Sequence, residues 1–158
     1  MISLLSHNIE DTYAIGQSLG KILQKSIFIA LDGSVGAGKT HFVQGLAKGL
    51  AVPQTPRSPT FSIMEEYAGR IPLLHVDVYR LEEEELEPLG LEEQLEGWSG
   101  VIAMEWAERF PMLYPSEPLH IEISLLGNQG RKITVSGSSH TSILEELAQS
   151  CASFLVSH

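Results

Sequence analysis

The amino-acid sequence predicts an α/β sandwich on a mixed sheet, mostly parallel at its centre and carrying antiparallel hairpins. Three observations lead there. An apolar run, Ser26 to Leu31, passes through a glycine-rich turn into a helix-spaced stretch, the strand–loop–helix unit typical of parallel pairing. A second apolar run, Gly100 to Trp106, reads as a strand buried on both faces. Two pairs of strand-like segments are joined by Ala68-Gly69-Arg70 and by Gly127-Asn128-Gln129-Gly130, which are hairpin signals. The length of 158 residues predicts one domain over 1–158. A domain of that size buries about 68–70% of its unfolded surface without needing staples.

The elements follow in order. Asn8 is placed to cap a first helix, with Asp11 near its positive end, and Ile15, Leu19, Ile22 and Leu23 recur at helical spacing. After the strand at Ser26–Leu31, the turn Asp32 to Gly38 opens a helix near Lys39. That helix runs to about Leu50, with Phe42, Val43, Leu46 and Leu50 on one face. Pro53, Pro56 and Pro59 break the next stretch into loop. Phe61 to Tyr67 and Pro72 to Tyr79 read as the strands of the first hairpin. Glu82 to Leu95 is acidic and leucine-spaced but interrupted by Pro88 and Gly90, so it reads as one or two short helices. Leu119 to Leu126 and Arg131 to Ser136 form the second hairpin, and Ser142 to Val156 closes the chain as an amphipathic helix.

Composition excludes several classes. Twenty acidic residues stand against ten basic ones, for a net charge of −10. That balance argues against a stand-alone binder of nucleic acid or anionic membrane, but leaves room for a phosphorylated ligand at a local site. The single cysteine, Cys151, rules out an internal disulfide framework and any cysteine-rich zinc site. It reads as a small apolar residue of the last helix and fits a reducing cytosol. Met1 to Glu10 lacks the charge and apolar core of a signal peptide, and no run approaches the roughly 18 apolar residues of a spanning helix. The expectation is a soluble cytoplasmic protein with no membrane partner.

The strongest motif is Gly33-Ser34-Val35-Gly36-Ala37-Gly38-Lys39-Thr40, a full match to the phosphate-binding pattern G-x-x-x-x-G-K-[ST] between a strand and a helix. The fold is therefore expected to be P-loop NTPase-like. Glycines let the loop wrap phosphates with inward N–H groups, and the helix start adds free amides and partial positive charge. Lys39 should reach the β- and γ-phosphates and the Thr40 hydroxyl should bind Mg²⁺.

Such sites also need an acid at the end of a buried strand to hold Mg²⁺. Glu105 ends the apolar run Val101 to Met104, where a bare carboxylate is costly without a partner, so a functional role is favoured. In the strand before it, alternation puts Leu74, Val76 and Val78 on one face and His75, Asp77 and Tyr79 on a polar one. Asp77 stands open between a site acid and a solvated residue or partner of Arg80. His75 reads as a hydrogen-bonding residue of the sheet. Guanine specificity usually comes with Asn-Lys-x-Asp, yet Asn8 and Asn128 are the only asparagines and neither begins one, which disfavours a GTPase. The five arginines are scattered, so a small-molecule kinase is an unsupported alternative. There is no G-x-S-x-G turn and no paired histidine spacing for a metal.

GSVGAGKT at 33–40, SPTF at 58–61, HVDVYRL at 75–81, LGLEE at 89–93 and MEWAER at 104–109 together resemble one family in order and spacing. It is the TsaE family, small bacterial ATPases of tRNA threonylcarbamoyladenosine biosynthesis, and the likeness runs from the first helix to the hairpin after Pro118. The resemblance implies weak ATP hydrolysis alone and work with TsaB and TsaD partners. TsaD, with TsaB, transfers the threonylcarbamoyl group, so tRNA is met only indirectly. Carried over by position, Lys39 contacts phosphates, Thr40 and Glu105 hold Mg²⁺, and Ser58 and Thr60 lie in a switch-like loop sensing the γ-phosphate. Asp77 matches the acid linked to hydrolysis, Trp106 lies beside the nucleotide, and Thr12 and Arg131 are candidates for its base and sugar side.

The sequence also departs from the family. Ser34 and Val35 stand where Asp and Leu are common, which removes a charge near the phosphates, and His41 stands where Thr is common. Plainer readings accompany the motif: a stiff turn for Ser58 to Phe61, a core aromatic for Trp106, a solvated helix face for Glu82 to Glu87. That acidic run is alternatively a docking face for a basic partner. An ATP-dependent binding switch with incidental hydrolysis is the alternative to an ATPase.

Overall fold

The apolar runs pair into one sheet in the computed structural model, which describes residues 1–57, 63–115 and 117–156. Its strands are β1 (Ile2–Ser6), β2 (Ile27–Gly33), β3 (Met64–Tyr67), β4 (Leu73–Asp77), β5 (Val101–Glu105), β6 (Leu119–Leu126) and β7 (Gly130–Ser136). They lie in the order β1-β7-β6-β2-β5-β4-β3. The four inner strands β6, β2, β5 and β4 run parallel, while β3, β7 and β1 are antiparallel to their neighbours. The mixed sheet expected from the sequence is the one observed.

Helices α1 (Ile9–Ile22), α2 (Lys39–Gly49) and α5 (Thr141–Ser150) cover one face, and the short α3 (Leu86–Leu89) and α4 (Leu91–Gly97) help cover the other. Because both faces are covered, β2 is apolar up to Leu31 and β5 up to Met104. Ile29, Leu31, Val101 and Ala103 face α1 and α2, while Phe28, Ala30, Ile102 and Met104 face α4. Asn8 caps α1, its Oδ1 accepting from Asp11 N at 2.8 Å, and the Asp11 carboxylate accepts from His7 N at 2.9 Å. Such a cap contributes about 1 kcal/mol. Helices α1 and α2 approach backbone to backbone: a Cβ at Gly45 would lie 2.0 Å from the Tyr13 carbonyl oxygen. The acidic segment splits at Gly90, whose φ of 64° ends α3 and starts α4.

Three expectations need correction. Strand β1 is not legible in the sequence, because only Leu4 and Ser6 of its five residues are buried. The last helix stops at Ser150, since the chain beyond it returns to the sheet edge: Leu155 bridges to Leu4, and Val156 N donates to Ser3 O at 3.0 Å. Cys151 follows the helix as a fully buried residue of the core, where burial pushes its thiol up. The face of β4 that reads as polar is also largely buried. With β5 on one side and β3 on the other, β4 is internal, so Leu73 and His75 are sealed and Asp77 is half-buried. Among the described residues, no helix is long and apolar enough to cross a membrane.

Candidate functional site

The site forms where β2, β4 and β5 end beneath the amino-terminus of α2. The chain leaves β2 at Gly33 and turns through Ser34 to Gly38 into α2. Gly36 at φ 80° and Gly38 at φ 105° take backbone conformations that L-residues rarely adopt, so the loop can curl over the helix start. The first amides of α2, with its dipole, then face the hollow. Arg131 of β7 clamps the loop from outside: its Nε donates to Ala37 O at 2.7 Å and its Nη2 to Gly36 O at 3.3 Å.

A cavity of about 500 Å³ opens there. Of the residues singled out in the sequence, it gathers Thr12, Val35, Gly36, Gly38, Lys39, Thr40, Asp77, Glu105, Trp106 and Arg131, and adds His41 and Tyr79. Gly33 and Ser34 line a neighbouring hollow with Asp32 and Glu108 instead, and Ala37 is buried. Ser58 and Thr60 lie outside the described residues. Another hollow, of about 330 Å³, lies at the opposite ends of β2 and β5 against Trp98 and Tyr114; it takes in Glu92 of LGLEE but none of the candidate site residues.

The charges in the cavity are poorly solvated. Lys39 is buried, and its ammonium donates to Gly33 O and to Ser34 O, the latter at 3.0 Å. It also sits 4.0 Å from the centre of the Trp106 ring. Burial pushes its pKa down, against the pull of Glu105, Asp77, Asp32 and Glu108. Asp77 and Glu105 are register partners at the ends of β4 and β5. Burial raises Asp77, and Glu105 adds to this. The Tyr79 N–H, donating to Asp77 Oδ1 at 2.9 Å, pulls the other way, as do His75 and Lys39. Arg80 is exposed, and the hydrogen bond from Tyr79 takes the place of the ion pair considered for Asp77. Asp32 is likewise raised by burial, although it accepts from Glu108 N at 2.9 Å. Glu105 is 2% exposed and His75 is wholly buried; His75 Nε2 lies 2.5 Å from Glu105 Oε2.

Trp106 takes φ 62°, a left-handed conformation costing a bulky L-residue roughly 1–2 kcal/mol. Its backbone N–H donates to Leu31 O of β2 at 3.0 Å, continuing the ladder past Glu105, and its ring lies at the cavity beside Tyr79, 4.6 Å between centroids. No residue type in the sequence announces such a conformation. On the other side, the Thr12 and Ser6 hydroxyls lie 2.7 Å apart, tying the start of α1 to β1.

The donor set fits a hard divalent cation shared with phosphates. Thr40, Asp77 and Glu105 bring hydroxyl and carboxylate oxygens to one cavity. Among the described residues there is no cluster of three or more His, Cys, Asp or Glu side chains able to hold a metal unaided. Mg²⁺ suits that situation, because it is commonly held by one or two protein ligands plus phosphates and water. With Lys39 and the helix amides, the arrangement can hold a polyphosphate and its cation.

Comparison with known proteins identifies a family. The family model of TsaE, described as threonylcarbamoyl adenosine biosynthesis protein TsaE, matches residues 6–133. The tRNA threonylcarbamoyladenosine biosynthesis protein TsaE of Bacillus subtilis is 40% identical over 145 residues, 90% of either chain. The protein of that name from Treponema pallidum is 38% identical over 133 residues, 84% of this chain and 98% of its own. The crystal structure of YdiB from Bacillus subtilis superposes with a TM-score of 0.75 at 31% identity, covering 94% of this chain and 97% of that one.

Proposed function

The chain belongs to the TsaE family, and from that premise we propose that it is a Mg²⁺-dependent ATPase. In this reading it serves tRNA threonylcarbamoyladenosine biosynthesis by contact with a TsaB–TsaD complex. The observation that supports it best is the convergence of Lys39, Thr40, Asp77 and Glu105 on one cavity at the phosphate-binding loop. The net charge of −10 supports leaving the tRNA to the partners. One domain acting in the cytoplasm completes the reading.

The residues divide the work as follows. The loop amides and the start of α2 bind the phosphates. Lys39 exchanges its bonds to Gly33 O and Ser34 O for phosphate oxygens, which offer its buried charge a better partner. Thr40 and Glu105 hold Mg²⁺, which supplies neutralisation of phosphate charge. Asp77, as a carboxylate, accepts a hydrogen bond from the attacking water and orients it. Ser58 and Thr60 sense the γ-phosphate. Trp106 walls the cavity, Thr12 meets the base and sugar side, and Arg131 keeps the loop open toward the ligand. Catalysis is then positioning and charge neutralisation.

The test is an ATPase assay with and without the TsaB–TsaD pair, on the parent, Asp77→Ala and Glu105→Ala. Phosphate release that rises with the pair and is lost in both variants supports the reading. Multiple rounds of tRNA modification supported by a non-hydrolysable ATP analogue would show a binding switch instead.

A further inference from the structure

Among the described residues, the inner strands hold one buried polar side chain that the proposed chemistry does not use. His75 is 0% exposed, in the middle of β4, with Leu73 and Ala103 as apolar neighbours on its face of the sheet. Its Nε2 meets Glu105 Oε2 at 2.5 Å, and its Nδ1 has no partner. As a device for stability this is poor. A buried ring nitrogen without a hydrogen bond costs about 1–3 kcal/mol, and an aliphatic side chain such as Leu73 or Val76 nearby would avoid that cost. The sheet itself does not need the imidazole, because the β4–β5 ladder is made by backbone groups.

The imidazole gives Glu105 a fixed direction. The ring is oriented by the contact of Nε2 with Glu105 Oε2, in which a ring N–H donates to a carboxylate oxygen. The register makes the contact diagonal: His75 pairs with Ala103 and Asp77 pairs with Glu105. His75 therefore reaches Glu105 from deeper in the sheet, while Asp77 flanks it at the cavity. Oε2 of Glu105 is held from behind, and the residue lines the cavity. A glutamate has several side-chain torsions to lose on binding a cation, and a carboxylate already held loses fewer.

We propose that His75 is the positioning residue for Glu105, a buried prop that pre-orients this carboxylate for the divalent cation. The inference rests on the reading of Glu105 as a metal ligand. ADP binding is measured by calorimetry over a Mg²⁺ series and in EDTA, for the parent, His75→Leu, His75→Gln and Glu105→Gln. His75→Leu raises the Mg²⁺ concentration for half-maximal enhancement of ADP binding by about tenfold, the lower end of outer-shell effects on metal affinity. Its ADP affinity in EDTA stays within about twofold of the parent, because the phosphate-binding loop is untouched. His75→Gln, whose amide reaches about as far as Nε2, recovers most of the metal dependence.

A Mg²⁺ curve for His75→Leu that overlies the parent, while that of Glu105→Gln shifts, overturns the positioning role and leaves the metal assignment standing. An equal loss of ADP affinity in EDTA also overturns it, showing only a general structural effect. A Glu105→Gln curve that does not shift removes Glu105 as a metal ligand and the inference with it. If His75→Leu does not fold, His75→Asn, whose amide is too short to reach, replaces it against His75→Gln with the same outcomes.

Discussion

The α1–α2 face and the carboxyl-terminal edge of the inner strands are built to opposite rules. Between the helices there is no room to spare: Gly16 and Gly45 let backbone touch backbone, and the adjoining core is sealed and apolar. At the strand ends, by contrast, Lys39, Asp77, Glu105 and Asp32 sit in partial or full burial, and Trp106 is held in a strained conformation. The first region stabilises the fold. The second lowers its stability and keeps poorly solvated charge ready for a ligand, as expected where geometry is held for function. The difference teaches where to look for stability and where for chemistry.

That contrast breaks first at Gly45. A Gly45→Val side chain meets Tyr13 O, which would be 2.0 Å from its Cβ, so the helices must separate. The expected loss is about 4 kcal/mol of unfolding free energy by urea titration, at the exceptional end for one substitution. A loss below about 1 kcal/mol would mean the helices slide apart freely.

Asp77→Asn tests the other region in two ways. ATP turnover falls by at least about 100-fold if Asp77 orients the water. The ligand-free protein becomes more stable at neutral pH, by about 2 °C in Tm, because a half-buried charge beside Glu105 is gone. The sign follows from the raised pKa: the folded protein binds this proton more tightly than the unfolded chain, so ionised Asp77 disfavours the fold. The gain is full above the raised pKa and disappears as pH falls to the ordinary carboxylate range. Equal Tm values at neutral pH would contradict the account.

Smaller effects sharpen the boundary between the regions. Arg131→Ala frees Gly36 O and Ala37 O, and nucleotide affinity drops about tenfold by calorimetry as the loop loses its clamp. Asn8→Ala removes only the cap of α1. It costs about 1 kcal/mol in urea titration and leaves turnover unchanged.

Much of this was readable from residues with local signatures. Asn8, the loop from Gly33 to Thr40, the glycine at 90 and the two hairpins each carry their own physics within a few positions, and the structure has them where expected. Lys39 and Glu105 were readable as site residues, whereas Asp77 stood open until the register of β4 and β5 placed it beside Glu105. What escaped depends on partners distant in sequence. The burial of His75 follows from β3 and β5 flanking β4, and β1 exists because β7 offers it an edge. The strained Trp106 is set by Leu31 O, far back along the chain. Alternation told which residues share a face, but not that the face of His75 would be covered.

The central claim is that the charge kept at the strand ends serves a nucleotide. The most direct measurement is a calorimetric titration of the parent and of Lys39→Ala with ATP and Mg²⁺, with far-ultraviolet circular dichroism to verify the fold. The account predicts one site per chain in the parent and affinity weakened about 100-fold in a folded Lys39→Ala, since one buried charge-assisted contact is worth up to about 3 kcal/mol. Equal affinity in the two proteins would contradict it.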